Sequence, residues 1–228
     1  MKFDKIHNRG QAQIFRNKYL EYLTKTHPLV IWSMYLPVII FLPYFATARL
    51  HFSVGRTLLI FCSGVFFWTF FEYIIHRFVF HFVAESPRAR KISYVIHGNH
   101  HEFPRDSQRL FMPAVPSIIL SSLIFLGMRL LTGTFAFAFF PGFLLGYLMY
   151  ASAHFAIHAW HPPFKWLKPI WRNHHLHHYK DDEKGFGVSS HFWDIIFGTT
   201  FDLKAEKEDK EAVRQLMFQK KEPQNNLR

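Results

Sequence analysis

With a single cysteine, Cys62, the chain can form neither an intrachain disulfide nor a cysteine-rich metal knot. Acidic residues are also few. Sixteen Asp plus Glu stand against 27 Lys plus Arg, a net charge of +11 over 228 residues. Half of the residues are hydrophobic and the mean hydropathy is zero, which excludes collagen-like and disordered chains. A pI near 9.8 invites a nucleic-acid partner, but such a partner needs a soluble domain with a continuous basic face. Long uncharged runs leave no room for one, and no nucleic-acid partner is expected. No cleavable signal is expected either, because the first apolar run begins late and no small-residue cleavage site follows it.

The uncharged runs are the first positive feature. Leu29 to Ala48 is twenty residues without a formal charge, and at about 1.5 Å per residue it matches a hydrocarbon layer of about 30 Å. Thr57 to Phe71 continues through Glu72 into Tyr73-Ile74-Ile75 and predicts a second span ending near His76. Leu110 to Met128 and Leu130 to Ala153 supply two more, separated by Arg129 and a Thr132-Gly133-Thr134 turn. Pro37, Pro43 and Pro141-Gly142 would kink these helices without abolishing them. The expected architecture is all-α, with four transmembrane helices in two hairpins. The alternative is a re-entrant third and fourth run, since Pro113, Pro116 and Arg129 shorten the third.

Basic residues orient this arrangement. Six precede residue 29, six lie between spans two and three, and twelve follow His158, which together make 24 of the 27. The positive-inside rule then places both termini and the long middle loop in the cytoplasm. The chain divides into residues 1–28, a membrane domain with a cytoplasmic helical cap over 29–201, and a charged tail over 202–228. Gln11 to Thr26 sets Ile14, Phe15, Tyr19, Tyr22 and Leu23 among basic residues and reads as an interfacial amphipathic helix. The tail reads as a solvated helix around Val213, Leu216 and Met217.

Ten of the sixteen histidines fall into four groups: His76 with His81; His97 with His100 and His101; His154 with His158; and His174 with His177 and His178. Residues three or four apart share a helix face, so three groups have metal-ligand spacing. His76 and His81 are five apart, about 140° around a regular helix; one of them lies beyond the end of span two or serves a different ion. A lone HxxxH is better read as a solvated or core pair. Here, however, all four groups fall on one membrane face, where ten close imidazoles must stay neutral, and neutral imidazoles bind Fe, Zn, Cu and Ni. Ten ligands over two ions gives five each, with room for an exogenous oxygen ligand. His7, His27, His51, His161 and His191 are isolated, and His175 points about 100° away from His174. Glu72, one turn before His76 in an apolar span, would be costly without a partner; a hydrogen bond orienting His76 would account for it. Asp106 and the Asp181-Asp182-Glu183 run are candidates for the same orienting role or are simply solvated, with solvation the better reading of the run.

The series Glu72-Tyr73-Ile74-Ile75-His76-Arg77-Phe78-Val79-Phe80-His81, His97-Gly98-Asn99-His100-His101, His174-His175-Leu176-His177-His178-Tyr179-Lys180 and Gly185-Phe186-Gly187-Val188-Ser189-Ser190 resembles the fatty acid hydroxylase and sterol desaturase superfamily. Within it, the likeness is nearest to the fatty acid 2-hydroxylases. It covers about residues 55 to 201, including Pro104 to Pro116 and Phe192-Trp193-Asp194. The family's ligand positions fall on the same ten histidines. The resemblance implies a centre of two irons, with zinc possible in purified material, that uses O2 and external electrons to oxidise an aliphatic C–H bond. The 28 residues before span one cannot hold the cytochrome b5 domain common in eukaryotic members. A separate cytochrome b5-like or ferredoxin-like donor is therefore expected, and an acidic one would be steered to the basic face.

The expected function is O2-dependent hydroxylation of a membrane lipid acyl chain, at the 2-position of a fatty acid or fatty-acyl lipid. Hydroxylation or desaturation of a sterol or carotenoid is the rival within the superfamily. A metal transporter is the rival outside it, although transport sites lie near the midplane and these ligands lie at helix ends. Structural zinc without catalysis is a third reading. The bacterial inner membrane is favoured over the endoplasmic reticulum.

Overall fold

The computed structural model describes residues 6–83 and 85–202, and the tail beyond Asp202 lies outside them. Helices account for all the regular structure there, with no strand among the described residues. Four long helices carry the fold: α2 (Pro28–Ala48), α3 (Val54–Ile74), α6 (Ala114–Thr132) and α7 (Ala136–Ala159). Their starts follow local chemistry. Pro28 opens α2, where the missing N–H is no loss, and the His27 ring accepts the Leu29 amide. Ser53 caps α3 by accepting from the Arg56 amide. Gly133 ends α6 at φ +60°, a conformation that strains any residue with a Cβ.

Among the described residues, three segments are long and apolar enough to cross a membrane: Pro28–Ala48, Val54–Phe80 and Ala114–Ala159. The third is a helical hairpin. Phe125 of α6 meets Phe140 and Phe137 of α7 at 5.0 and 5.7 Å, and Phe111 before α6 meets Phe155 near the end of α7. Helix α2 also runs antiparallel to α7, since Trp32 bonds Ser152 while Phe45 meets Phe137. Helix α3 runs parallel to it. Gly64 lies against the Phe139 carbonyl, Gly142 against the Phe61 carbonyl, and Gly146 against the Trp68 side chain. Helix association in lipid relies on such close approach, because lipid tails are as apolar as leucine. The Trp68 ring fills the seam, edge-on to Phe143 and Tyr147.

Parallel packing at this register brings the C-terminal ends of α3 and α7 out side by side. Past α3 the chain widens into a π-helical segment (Ile75–Phe80). It then returns through α4 (Pro87–Ser93), a second π segment (Tyr94–Gly98) and α5 (Asn99–Glu102). Asn99 explains the second widening, as its side-chain amide donates to the Tyr94 and Val95 carbonyls. After α7 come α8 (Lys168–Tyr179) and α9 (Phe192–Ile196). Trp193 of α9 bonds Thr69 of α3.

The expected helix over Gln11 to Thr26 shrinks to α1 (Lys18–Tyr22). Carboxylates take over the backbone donors ahead of it: Glu21 accepts the Ile14 and Phe15 amides, and Asp106 accepts that of Ala12. Arg109 bridges Glu21 and Asp106. Asp106 thus ties the N-terminal segment down, and its hydrogen bonds orient no ligand histidine. Tyr19, Tyr22 and Leu23 remain exposed.

Candidate metal centre

All ten histidines converge at the shared end of α3 and α7. Within reach of one ion are His76, His81, His97, His101 and His177; within reach of a second are His100, His154, His158, His174 and His178. In each group the five ligand atoms lie within 4.8 Å of one another.

The division does not follow the order of the sequence. In His97-Gly98-Asn99-His100-His101, the outer pair joins the first group and His100 crosses to the second. In His174 to His178, the outer pair joins the second group and His177 crosses to the first. Each group is therefore two helical pairs plus one crossing imidazole. The spacing of five between His76 and His81 has its explanation in the π segment, where the His81 amide bonds the His76 carbonyl. Hydrogen bonds spanning five residues bring such a pair onto one face. His81 sits one residue past that segment, and it shares its partner's group instead of serving the other ion.

Ring nitrogens show what the groups can do. The Nε2 atoms of His76 and His101 approach that of His97 at 3.2 and 3.0 Å. In the second group, His154 meets His100 at 2.8 Å, and His158 and His178 meet His174 at 2.8 and 3.1 Å, again through Nε2. Two nitrogens bound to one ion at about 2.1 Å and about a right angle to each other would lie about 3.0 Å apart. Nε2 of His81 and of His177 is buried with no hydrogen-bond partner among the described residues. Ten imidazoles with inward nitrogens at coordination spacing fit two borderline-soft ions.

Burial holds the clustered histidines of α5, α8 and the second π segment in the neutral form. It pushes His97, His100, His101, His174 and His178 well below the usual imidazole range, and neighbouring imidazoles add to the effect. His177 is lowered to about 4 by burial, against a smaller opposing effect of its bond to the Lys184 carbonyl. Unfolded, these rings titrate near 6.5. Between the two values the unfolded chain holds more protons, so stability falls as pH drops from about 7 toward about 4. Chelator-stripped protein should melt several degrees lower at pH 5.5 than at pH 7.5. A melting temperature independent of pH would contradict the buried, neutral cluster.

Glu72 is buried but does not reach His76. Its carboxylate accepts the Val188 and Ser189 amides and the Ser189 hydroxyl. His76 instead bonds the Phe186 carbonyl through Nδ1 at 2.6 Å. Asp182, from the run that the sequence offers either as an orienting group or as solvated, places a carboxylate oxygen 3.8 Å from His81 Nδ1. Asp194, given no role by the sequence reading, is fully buried and accepts the Phe186 and Gly187 amides. Its signal was the Gly-Phe-Gly run before a Trp-Asp pair. His175 is buried yet belongs to neither group, as do His7 beside Glu102 and His27 at the α2 cap. His51, His161 and His191 also lie outside both groups.

Comparison with known proteins points to one family. The fatty acid hydroxylase family profile matches residues 61–199. The chain is 39% identical over 206 residues to the ceramide very long chain fatty acid hydroxylase of Saccharomyces cerevisiae, covering 86% of this chain and 52% of that protein. To the dihydroceramide fatty acyl 2-hydroxylase FAH1 of Arabidopsis thaliana it is 34% identical over 205 residues, covering 90% and 86%. The solved structure of full-length scs7p, with only its hydroxylase domain visible, superposes with a TM-score of 0.79 at 37% identity, covering 85% of this chain and 74% of that one. The chain thus spans about half of the yeast relative and most of the plant one. These relatives are eukaryotic and lend no support to the expected bacterial inner membrane. With a profile match across the region that holds all ten histidines, the chain belongs to the fatty acid hydroxylase family.

Proposed function

We propose that this chain is a membrane-embedded hydroxylase that places a hydroxyl group at the 2-position of a fatty acyl chain. The convergence of ten inward-facing imidazoles in two groups of five carries this reading. It is joined to the similarity to proteins named as fatty acyl and ceramide hydroxylases. The four long helices would each cross the bilayer, with the histidine end on the cytoplasmic side, where the basic residues gather. His76, His81, His97, His101 and His177 would hold one iron, and His100, His154, His158, His174 and His178 the other. When bound, the two ions supply O2 activation and C–H oxidation, with two electrons drawn from a separate carrier.

The chain's own part is placement and exclusion of water. Phe80 stacks on the His97 ring at 4.8 Å, and Tyr150 lies flat against His154 at 5.8 Å. These rings pack directly on two of the imidazoles and keep water from them, and a water-insoluble substrate would reach the cluster from the bilayer. Lipid mass spectrometry of a host expressing the chain, with and without iron, tests the reading. An iron-dependent 2-hydroxy fatty acyl product is expected. A ring-hydroxylated sterol or carotenoid, or no product at all, would overturn it.

The electron carrier is best met by the exposed Arg88, Arg90, Lys91, Lys168 and Arg172 at the histidine end. An acidic carrier would be steered there, and turnover should fall steeply as ionic strength rises. A flat salt response would count against that docking.

A further inference from the structure

The two groups of five are alike in number but not in what stands behind them. In the first, two rings donate outward to one short stretch of chain, and a third faces a carboxylate from it. The Phe186 carbonyl accepts from His76 Nδ1 at 2.6 Å, and the Lys184 carbonyl from His177 Nδ1 at 2.7 Å. Asp182 lies 3.8 Å from His81 Nδ1. In the second group, Nδ1 of His158, His174 and His178 is buried without a hydrogen-bond partner among the described residues, and the outward bond there, His154 to the Leu110 backbone, comes from a different part of the chain.

That stretch is itself held by two buried carboxylates on separate helices. Glu72 of α3 accepts the Val188 amide at 2.7 Å and the Ser189 amide at 2.9 Å. Asp194 of α9 accepts the Phe186 and Gly187 amides at 2.9 and 3.0 Å and the Thr199 hydroxyl at 2.8 Å. The Gly185 amide bonds the Thr199 carbonyl. Side chains are excluded from the loop's inner turn. Gly185 has φ +70°, and a Cβ on Gly187 would strike the Ser190 carbonyl and come within 2.8 Å of Asp194. A carboxylate that accepts two amides fixes the carbonyls beside them, and a carbonyl that accepts Nδ1–H fixes both the tautomer and the aim of Nε2.

We infer that residues 182–189 form a clamp for one ion only, that of His76, His81, His97, His101 and His177, with Glu72 and Asp194 as its positioning residues. The two ions are then held unequally, and the clamped one leaves last. The inference rests on the two-metal reading above. Outward partners of ligand histidines typically contribute 10–100-fold in metal affinity, which sets the size of the expected effect.

The test is metal release from the purified, detergent-solubilised protein loaded with zinc and challenged with a chelator, read as metal content against time. Two phases of about one ion each are expected in the unaltered chain. His81→Ala should abolish the slow phase and His154→Ala the fast one, which assigns them. Asp194→Asn should then speed the slow phase by about 10-fold or more and leave the fast phase alone. Ser189→Ala, which removes one bond to Glu72 and none of the backbone anchors, should do the same to a smaller degree, and it serves if Asp194→Asn fails to fold. Equal acceleration of both phases, of only the fast phase, or of neither would overturn the clamp. If His81→Ala and His154→Ala still carry two ions released as before, the metal reading itself falls and takes the clamp with it.

Discussion

Gly142→Ala is expected to cost the protein its seam between α3 and α7. An added Cβ there would run into the carbonyl of Phe61, and one at Gly64 into the carbonyl of Phe139. Backbone cannot swing away as the end of a side chain can, so the helices must separate or shift. Overpacking of this kind costs about 1–3 kcal/mol where side chains absorb it, and the upper part of that range applies here. The damage extends beyond stability, since the same register sets His76 of the α3 extension beside His154 and His158 of α7. Thermal melting in detergent should show a large loss for Gly142→Ala, together with a fall in bound metal. Gly127→Ala is the control: it lies inside α6 with nothing within 4 Å of an added Cβ, and a helix-interior Gly→Ala change is favourable by about 1 kcal/mol. Equal melting temperatures for Gly142→Ala and the unaltered chain would refute the close approach.

The two glycines also mark the boundary of what the sequence could disclose. Uncharged runs, basic turns and the spacing of histidines are properties of composition along a line, and they located the long helices and all ten converging histidines. The alternative of separate ions for His76 and His81 failed because it assumed 3.6 residues per turn, and a π segment has no compositional mark to betray it. Likewise, nothing in the sequence separates His100 from His101: which neighbour goes to which group depends on the tertiary placement that sets His100 against His154 and His101 against His177. Glu72 was correctly suspected of having a partner because a bare carboxylate in an apolar helix is costly. Its partner was misjudged because the loop that reaches it lies more than a hundred residues further on. Asp106 behaved the same way, drawn to the N-terminal segment by donors that no local pattern reveals. Contacts within a helical turn were legible, whereas those made by folding the chain back on itself were not.

The crossing of single histidines between groups leads to the sharpest expected result on the site. His97 and His101 belong to one group, while His100 belongs to the other. Replacing His97 and His101 together by alanine should therefore release one ion and spare the second. Replacing the neighbours His100 and His101 together should weaken both, and after gel filtration the protein should retain less than one ion. His174 with His178 should mirror the first pair, and His177 with His178 the second. Hydroxylation should be lost in all four double variants, since residues that act as one unit do not contribute additively. Assignment of ions by sequence cluster predicts the opposite: His100 and His101 would then share an ion, and their joint loss would leave the other in place. Metal content is the deciding measurement, because activity alone cannot tell the loss of one ion from the loss of two. If metal is lost while hydroxylation persists, the imidazoles clamp the fold and the chemistry lies elsewhere.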